Sequence, residues 1–316
     1  MARICSLGSS LQDIYLVDHD DLVSSDSVYD RITVGTKVDI DKISYEVGGG
    51  ATNAAVTFVR HGHESVILSN VGRDIAAEAI RACLDDEGID SSYIETVREN
   101  TGCSVILLDS KSGERTILTH RGASARFDNL SEKCLDNISP DWLYVTSLRG
   151  DMTTLKRFFK YAKKNDIRVM FNPGKLELEH KSDLTKLLEY VDVLLVNKRE
   201  AAQIVPGETL EELLSRLKNY LRTVIITDGQ MGAIARDGSK TYRFGLYEDL
   251  KVKDTTGAGD AFGSGFLAHF AAGYSFKDSL VFASANSTSV VSKLGAKTGI
   301  LTGREKLHQM VMQEIK

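Results

Sequence analysis

The chain has 316 residues, 42% of them hydrophobic and 26% charged, with a net charge of −5. Such a chain can bury a large core, and its acidic excess argues against nucleic acid as the main partner, which needs clustered Lys and Arg. Cys5, Cys83, Cys103 and Cys134 include no CxxC pair, and no apolar run nears the ~20 residues of a membrane span, so reduced thiols and a cytoplasmic setting are expected.

Residues 4–7 are a short apolar run ended by Gly8-Ser9-Ser10, which reads as a buried strand entering a loop that carries Asp13. Over residues 30–47, Ile32, Val34, Val38, Ile40 and Ile43 alternate loosely with polar positions, the period of strands with one wet face. A second such stretch covers 103–108, turns at Ser112-Gly113-Glu114 and returns through Thr116-Ile117-Leu118. The two predict a small sheet outside the main body, from about 14–47 and 98–120. Gly48-Gly49-Gly50 lets the backbone pass close to a ligand. Asn53 follows at the head of an apolar helix and offers both donor and acceptor to a hydroxyl.

Residues 65–71 read as a strand, and Gly72-Arg73-Asp74 opens a helix through Leu84. The rhythm continues with a strand at 142–145, a helix at 153–165, and strands at 169–171, 193–196 and 224–226. Apolar strands separated by helices predict an α/β fold with a mostly parallel sheet covered on both faces. Ligands bind beyond the carboxyl ends of such strands. Asn197 and Glu200 lie at one of those ends, where a plain helix cap would also explain them. Thr227, Gly229 and Gly232 lie at the next, with Asp228 among them.

Asp254-Thr255-Thr256-Gly257-Ala258-Gly259-Asp260-Ala261-Phe262 then leads into an apolar helix. A glycine-rich turn opening a helix aims unpartnered N–H groups one way, which makes an anion site, most often for phosphate. Asp260 falls in the first turn. It is placed either as an ordinary helix-start acid or as a base for a hydroxyl attacking that phosphate. A last helix is expected at 279–294, ended by Gly295. No Walker A string occurs, nor a complete nicotinamide fingerprint after the first strand.

The string 254–262 resembles the C-terminal signature of the ribokinase (PfkB) carbohydrate-kinase family, and Gly48 to Asn53 resembles its N-terminal one. The resemblance spans Gly8 to about Gly299. It implies a ribokinase-like three-layer α/β/α sandwich with a small β-sheet lid, through which some members form homodimers. It implies ATP and Mg²⁺, and transfer of the γ-phosphoryl group to a hydroxyl of a sugar or sugar derivative. Asp260 is then the base, and the amides of Gly257, Ala258, Gly259 and Asp260 are the anion hole. No raised pKa is required of Asp260, because the proton leaves late in a loose transition state.

The same resemblance makes Asp13, Gly48, Gly49 and Asn53 substrate contacts. It assigns Asn197 and Glu200 to magnesium-bound water and phosphates, Thr227, Gly229 and Gly232 to the nucleotide, and Ser284 and Asn286 to the adenine side. Asp254 and Thr256, with backbone from Lys293 and Gly295, fit a monovalent cation such as K⁺. Gly50 stands where some members carry Lys, and Asp228 where an apolar or small residue is commoner. Arg121 and Arg149, with Lys175, lie near the expected sugar pocket and suit a carboxylate or phosphate on the substrate, surface arginines being the plainer alternative. Two other readings are a nucleoside kinase with Tyr15, Tyr29 or Tyr45 lining a base slot, and a catalytically silent sugar or nucleotide sensor.

Overall fold

The structure, a computed structural model, describes residues 1–18, 37, 39–40, 42–109 and 115–315. Its strands are β1 (Arg3–Leu7), β2 (Leu11–Asp18), β3 (Lys42–Gly48), β4 (Glu64–Val71), β5 (Ile94–Thr96), β6 (Gly102–Asp109) and β7 (Arg115–His120), then β8 (Trp142–Val145), β9 (Arg168–Phe171), β10 (Val193–Asn197), β11 (Thr223–Thr227), β12 (Ala233–Asp237), β13 (Lys240–Phe244) and β14 (Met312–Ile315). The helices are α1 (Gly50–Arg60), α2 (Ile75–Asp86), α3 (Cys134–Ile138), α4 (Met152–Lys164) and α5 (Lys175–Glu179), then α6 (Lys181–Leu187), α7 (Lys198–Ile204), α8 (Leu210–Leu217), α9 (Ala258–Ala271) and α10 (Phe276–Val291).

Ten strands form one sheet in the order β14-β13-β12-β11-β10-β9-β8-β1-β4-β5. Pairing is parallel from β5 to β11 and antiparallel from β11 to β14. All four residues of β8 are buried, as a strand covered on both faces requires. Alternation sends its side chains to opposite layers. Leu143 and Val145 join a core with Phe158 of α4, Leu184 of α6, Ile204 of α7 and Leu213 of α8. Trp142 and Tyr144 join the other core, with Phe58 of α1, Phe266 of α9 and Leu280 of α10. Fully burying each such side chain contributes about 1.5–3 kcal/mol.

A second sheet has the order β3-β2-β6-β7. Its inner face carries the buried Asp13, Tyr15, Ser104 and Ile106. Ile14, Tyr45, Val105 and Leu118 run in register across the outer face. Asp13 therefore lies within a strand and not in the expected loop, because β2 is paired along both edges. Ile40 is described and lies outside any strand. Ile32, Val34, Val38, Tyr29 and the turn 112–114 fall outside the described residues.

Helix α10 begins earlier than expected, since the Ser275 hydroxyl accepts from the Asp278 N–H at 3.1 Å and starts the helix there. It ends at Val291, short of Leu294. Where α1, α9 and α10 meet, His61, His63 and His269 pack with Phe282, the ring centroids of His61 and Phe282 lying 4.9 Å apart. Burial lowers the pKa of His61 and of His269 to about 4 each. Among the described residues no helix is long and apolar enough to cross a membrane.

Candidate active site

The turn before α9 can be built only with glycine at its head. Gly257 has φ 76°, and a Cβ there would come within 2.5 Å of the Ala296 Cβ. Ala258, expected in the anion hole, and Ala261 donate back to the Thr255 and Gly257 carbonyls at 3.3 and 2.7 Å, leaving the amides of Gly257, Gly259 and Asp260 as open donors at the helix N-terminus. The Asp254 carboxylate braces this turn by accepting from the Thr256 and Gly295 N–H groups at 2.8 and 3.1 Å, and from the Tyr15 hydroxyl at 3.3 Å.

Asn53 and Asp260, 207 positions apart, meet: the Asn53 Nδ2 donates to the Asp260 Oδ2 at 2.9 Å. The Asn53 Oδ1 is buried and has no partner among the described residues. The Ser264 hydroxyl fastens the two helices, donating to the Asp260 carbonyl at 2.6 Å and lying 2.8 Å from the Thr57 hydroxyl. Burial raises the Asp260 pKa, against the opposing pull of the Asn53 hydrogen bond and of Lys297. The expectation that no raised pKa is needed therefore meets a carboxyl whose pKa is raised, because its site is recessed.

Asp13 is pushed up to about 6, chiefly by burial, while a hydrogen bond with Ser104 and the Lys297 charge act the other way. Gly48 makes room for it, since a Cβ at Gly48 would strike the Asp13 Oδ2 at 2.0 Å. At Gly49, φ is 105° and a Cβ would lie 2.3 Å from the Ser9 carbonyl oxygen. These two glycines are thus required by the close approach of β2, β3 and the loop after β1.

A cavity of about 220 Å³ adjoins the turn, and Ala258, Gly259 and Phe262 form part of its wall. Asn197, Glu200, Thr227, Gly229, Gly232 and Ser284 line it too. Asn197 and Glu200 also form a reciprocal cap of α7, at 2.8 and 3.0 Å, so the cap and the cavity wall are the same residues. Burial raises the Glu200 pKa, against hydrogen bonds from Asn197. Asp228 lies 3.7 Å from the Lys198 ammonium, which offsets its charge.

Asn286 is not in the cavity wall. It is fully buried, donating to the Ala261 carbonyl and accepting from the Leu301 N–H, both at 2.8 Å. It ties α10 to α9, and Ser287 and Thr288 reach the cavity in its place. The tyrosines of the base-slot reading diverge, Tyr15 being buried and Tyr45 61% exposed. Lys175 is exposed at the start of α5.

Arg121, just after β7, and Arg149, just after β8, are electrostatic neighbours. The Arg121 pKa is lowered first by burial and then by Arg149, with Asp13 opposing. Arg149 holds φ 59°, a left-handed conformation that costs roughly 1–2 kcal/mol. The buried Glu177 stabilises that loop by accepting from the Ser147 hydroxyl and from the Gly150 and Gly174 N–H groups at 2.8, 2.8 and 2.9 Å. Sequence reasoning missed Glu177, because its partners lie on two separate loops.

It also missed Lys297, whose ammonium donates to the Val47 carbonyl. The only signal was a lysine among small residues in Gly295-Ala296-Lys297-Thr298-Gly299.

A family model described as pfkB family carbohydrate kinase matches residues 1–302. A ribokinase of Haemophilus influenzae is 29% identical over 270 residues, covering 82% of this chain and 86% of that one. An ATP-dependent 6-phosphofructokinase of Thermoanaerobacterium thermosaccharolyticum is 28% identical over 307 residues, covering 88% and 92%. Among solved structures, an Arabidopsis thaliana ribokinase complexed with ribose and ATP superposes with a TM-score of 0.80 at 22% identity, covering 96% of both chains. The α/β architecture with its smaller separate sheet is the ribokinase-like fold.

Proposed function

The chain belongs to the pfkB family of carbohydrate kinases, and on that premise we propose that it moves the γ-phosphoryl group of ATP to a hydroxyl of an anionic sugar, with Asp260 as the base. The coarse reaction is that of a sugar or nucleoside kinase. The observation that carries the finer reading is the 2.9 Å bond between Asn53 and Asp260. It sets a hydroxyl-recognising amide, with its own oxygen unpartnered among the described residues, beside a carboxylate at an anion-binding helix start.

In this reading Asp13 and Asn53 hold the acceptor sugar, and Gly48 and Gly49 let the Asp13 carboxylate and the loop after β1 close up beside it. Asp260 accepts the hydroxyl proton as the new O–P bond forms and the bond to the leaving nucleotide breaks. The amides of Gly257, Gly259 and Asp260 receive the charge on the moving group. Mg²⁺ arriving on nucleotide oxygens would neutralise charge on the phosphates, and Asn197 and Glu200 are the residues that would hold its waters.

The anionic character of the acceptor is supported by Arg121 and Arg149. Neither guanidinium has a hydrogen bond or ion pair among the described residues, and one comes from each sheet. Two like charges kept together, neither of them ion-paired among the described residues and with Asp13 acting on Arg121 only from a distance, suit a phosphate or carboxylate between them.

The test is a panel of matched acceptors coupled to ADP release: ribose and ribose phosphates, fructose and fructose 6-phosphate, a sugar acid, and nucleosides. Anionic acceptors are expected to lead, and Arg121→Met or Arg149→Met to remove about 1.5–3 kcal/mol of their advantage, the worth of a charged hydrogen bond. A neutral sugar or nucleoside leading the panel would overturn the acceptor class. No turnover on any alcohol, with nucleotide still bound, would overturn the kinase reading and favour a sensor.

A further inference from the structure

The segment Gly295-Ala296-Lys297 touches both the turn before α9 and the strand β3. The Gly295 N–H donates to Asp254, Ala296 fills the space beside Gly257, and the Lys297 ammonium reaches across to the Val47 carbonyl. Val47 lies in β3 and immediately precedes Gly48 and Gly49. The Lys297 carbonyl is itself fixed by Arg60 at 2.9 Å, and Arg60 is held by Glu87 at 2.5 Å.

The titratable groups that act on this ammonium are Cys83 of α2, Asp13 of β2, Glu46 of β3 and Asp260 of α9. Asp13 and Asp260 are both recessed carboxylates, and a phosphoryl group would bring further negative charge beside them. Recessed like charges are costly unless a fixed counterion is near. Lys297 is the cation that acts on both Asp13 and Asp260.

We propose that Lys297 is a positioning residue of phosphoryl transfer. Its ammonium clamps the lid strand β3 to the anion-hole turn and supplies the fixed positive charge between Asp13 and Asp260. The assignment rests on Asp260 being the base, and it predicts that one side chain couples acceptor seating to the transfer step while leaving the nucleotide cavity alone. The compact ammonium suits this place, because it binds a main-chain carbonyl while its charge acts on carboxylates of two other elements.

The experiment compares Lys297→Ala, Lys297→Met and Lys297→Arg for kcat, acceptor KM and nucleotide affinity, with circular dichroism confirming folding. Lys297→Ala and Lys297→Met are expected to lose roughly 10²-fold in kcat, the scale for removing one electrostatic contact to the reacting groups. Acceptor KM should rise and nucleotide affinity should hold. Methylammonium should restore about 10-fold to the Lys297→Ala enzyme, which has room for it, and nothing to Lys297→Met. Lys297→Arg keeps the charge and should retain more activity than Lys297→Met.

Parental kcat in Lys297→Met, or a loss in the folded Lys297→Ala enzyme that methylammonium leaves untouched, would overturn the proposal. If Lys297→Met were fully active while Asp260→Asn was inactive, only this inference would fall. An active Asp260→Asn enzyme would instead remove the base on which it rests.

Discussion

At the scale of single residues, Asp260 is a carboxyl in a recessed site whose pKa would climb further without Asn53 and Lys297. Asp260→Asn is expected to lower kcat by about 10²–10⁴, the range for losing a general base, with nucleotide affinity in equilibrium titration unchanged. The pH profile follows from the same residues. Asp13 at about 6 and Asp260, also raised, bind their protons at higher pH than ordinary carboxylates. Activity that needs both ionised therefore declines as pH falls through about 6. Asn53→Leu removes a bond that holds the Asp260 pKa down, so the acid limb of kcat should move to higher pH. A limb in the ordinary carboxylate range, near 4, would refute this. Asp260, Asn53 and the glycines were legible in the sequence because each sits in a short string with its own local chemistry. Glu177 and Lys297 were not, since their roles exist only once distant segments meet.

At the scale of elements, α9 depends on the left-handed turn at Gly257. Gly257→Ala adds a strained φ, costing about 1–2 kcal/mol, and drives a methyl into Ala296. Gly259→Ala meets nothing within 4 Å. Thermal melts should show Gly257→Ala clearly destabilised and Gly259→Ala close to the parent, though Gly259 lines the cavity beside the turn. Equal melting points would refute the turn argument. The parallel strands were readable as unbroken apolar runs. The expected strands did not include β12 and β13, although Gly238-Ser239 between them is a hairpin signal. Nor did they include β14, whose Met312-Gln313-Glu314-Ile315 is a strand because β13 offers it an edge. Asn286 was misassigned because its place on α10 gave no sign of which face it occupies. It faces inward, to Ala261.

At the scale of the whole molecule, stability should depend on pH through the histidine cluster. His61 and His269 have folded pKa values of about 4, against about 6.5 in an unfolded chain. Between those values the unfolded state binds more protons, so the stability present above pH ~6.5 declines as pH falls toward 4. Both ring nitrogens of His61 are buried without partners among the described residues. His61→Phe should therefore raise the melting temperature and flatten its fall between pH 7 and pH 5. An unchanged slope would show that other groups govern the acid response. The repeating strand–helix rhythm made the α/β body legible, and period-2 alternation the separate small sheet. Strand order was not legible, because pairing partners such as β1 and β8 lie far apart in sequence.

The small sheet takes β2 and β3 from before α1, and β6 and β7 from after β5. Its central pair, β2 and β6, thus joins two stretches separated by part of the body. This sheet cannot be inherited as one cassette. A gene fragment carrying either stretch alone would bring half of it with foreign seams, so, if it covers the acceptor as proposed, drift toward a new acceptor is easiest through single side chains, such as Arg121 at its margin.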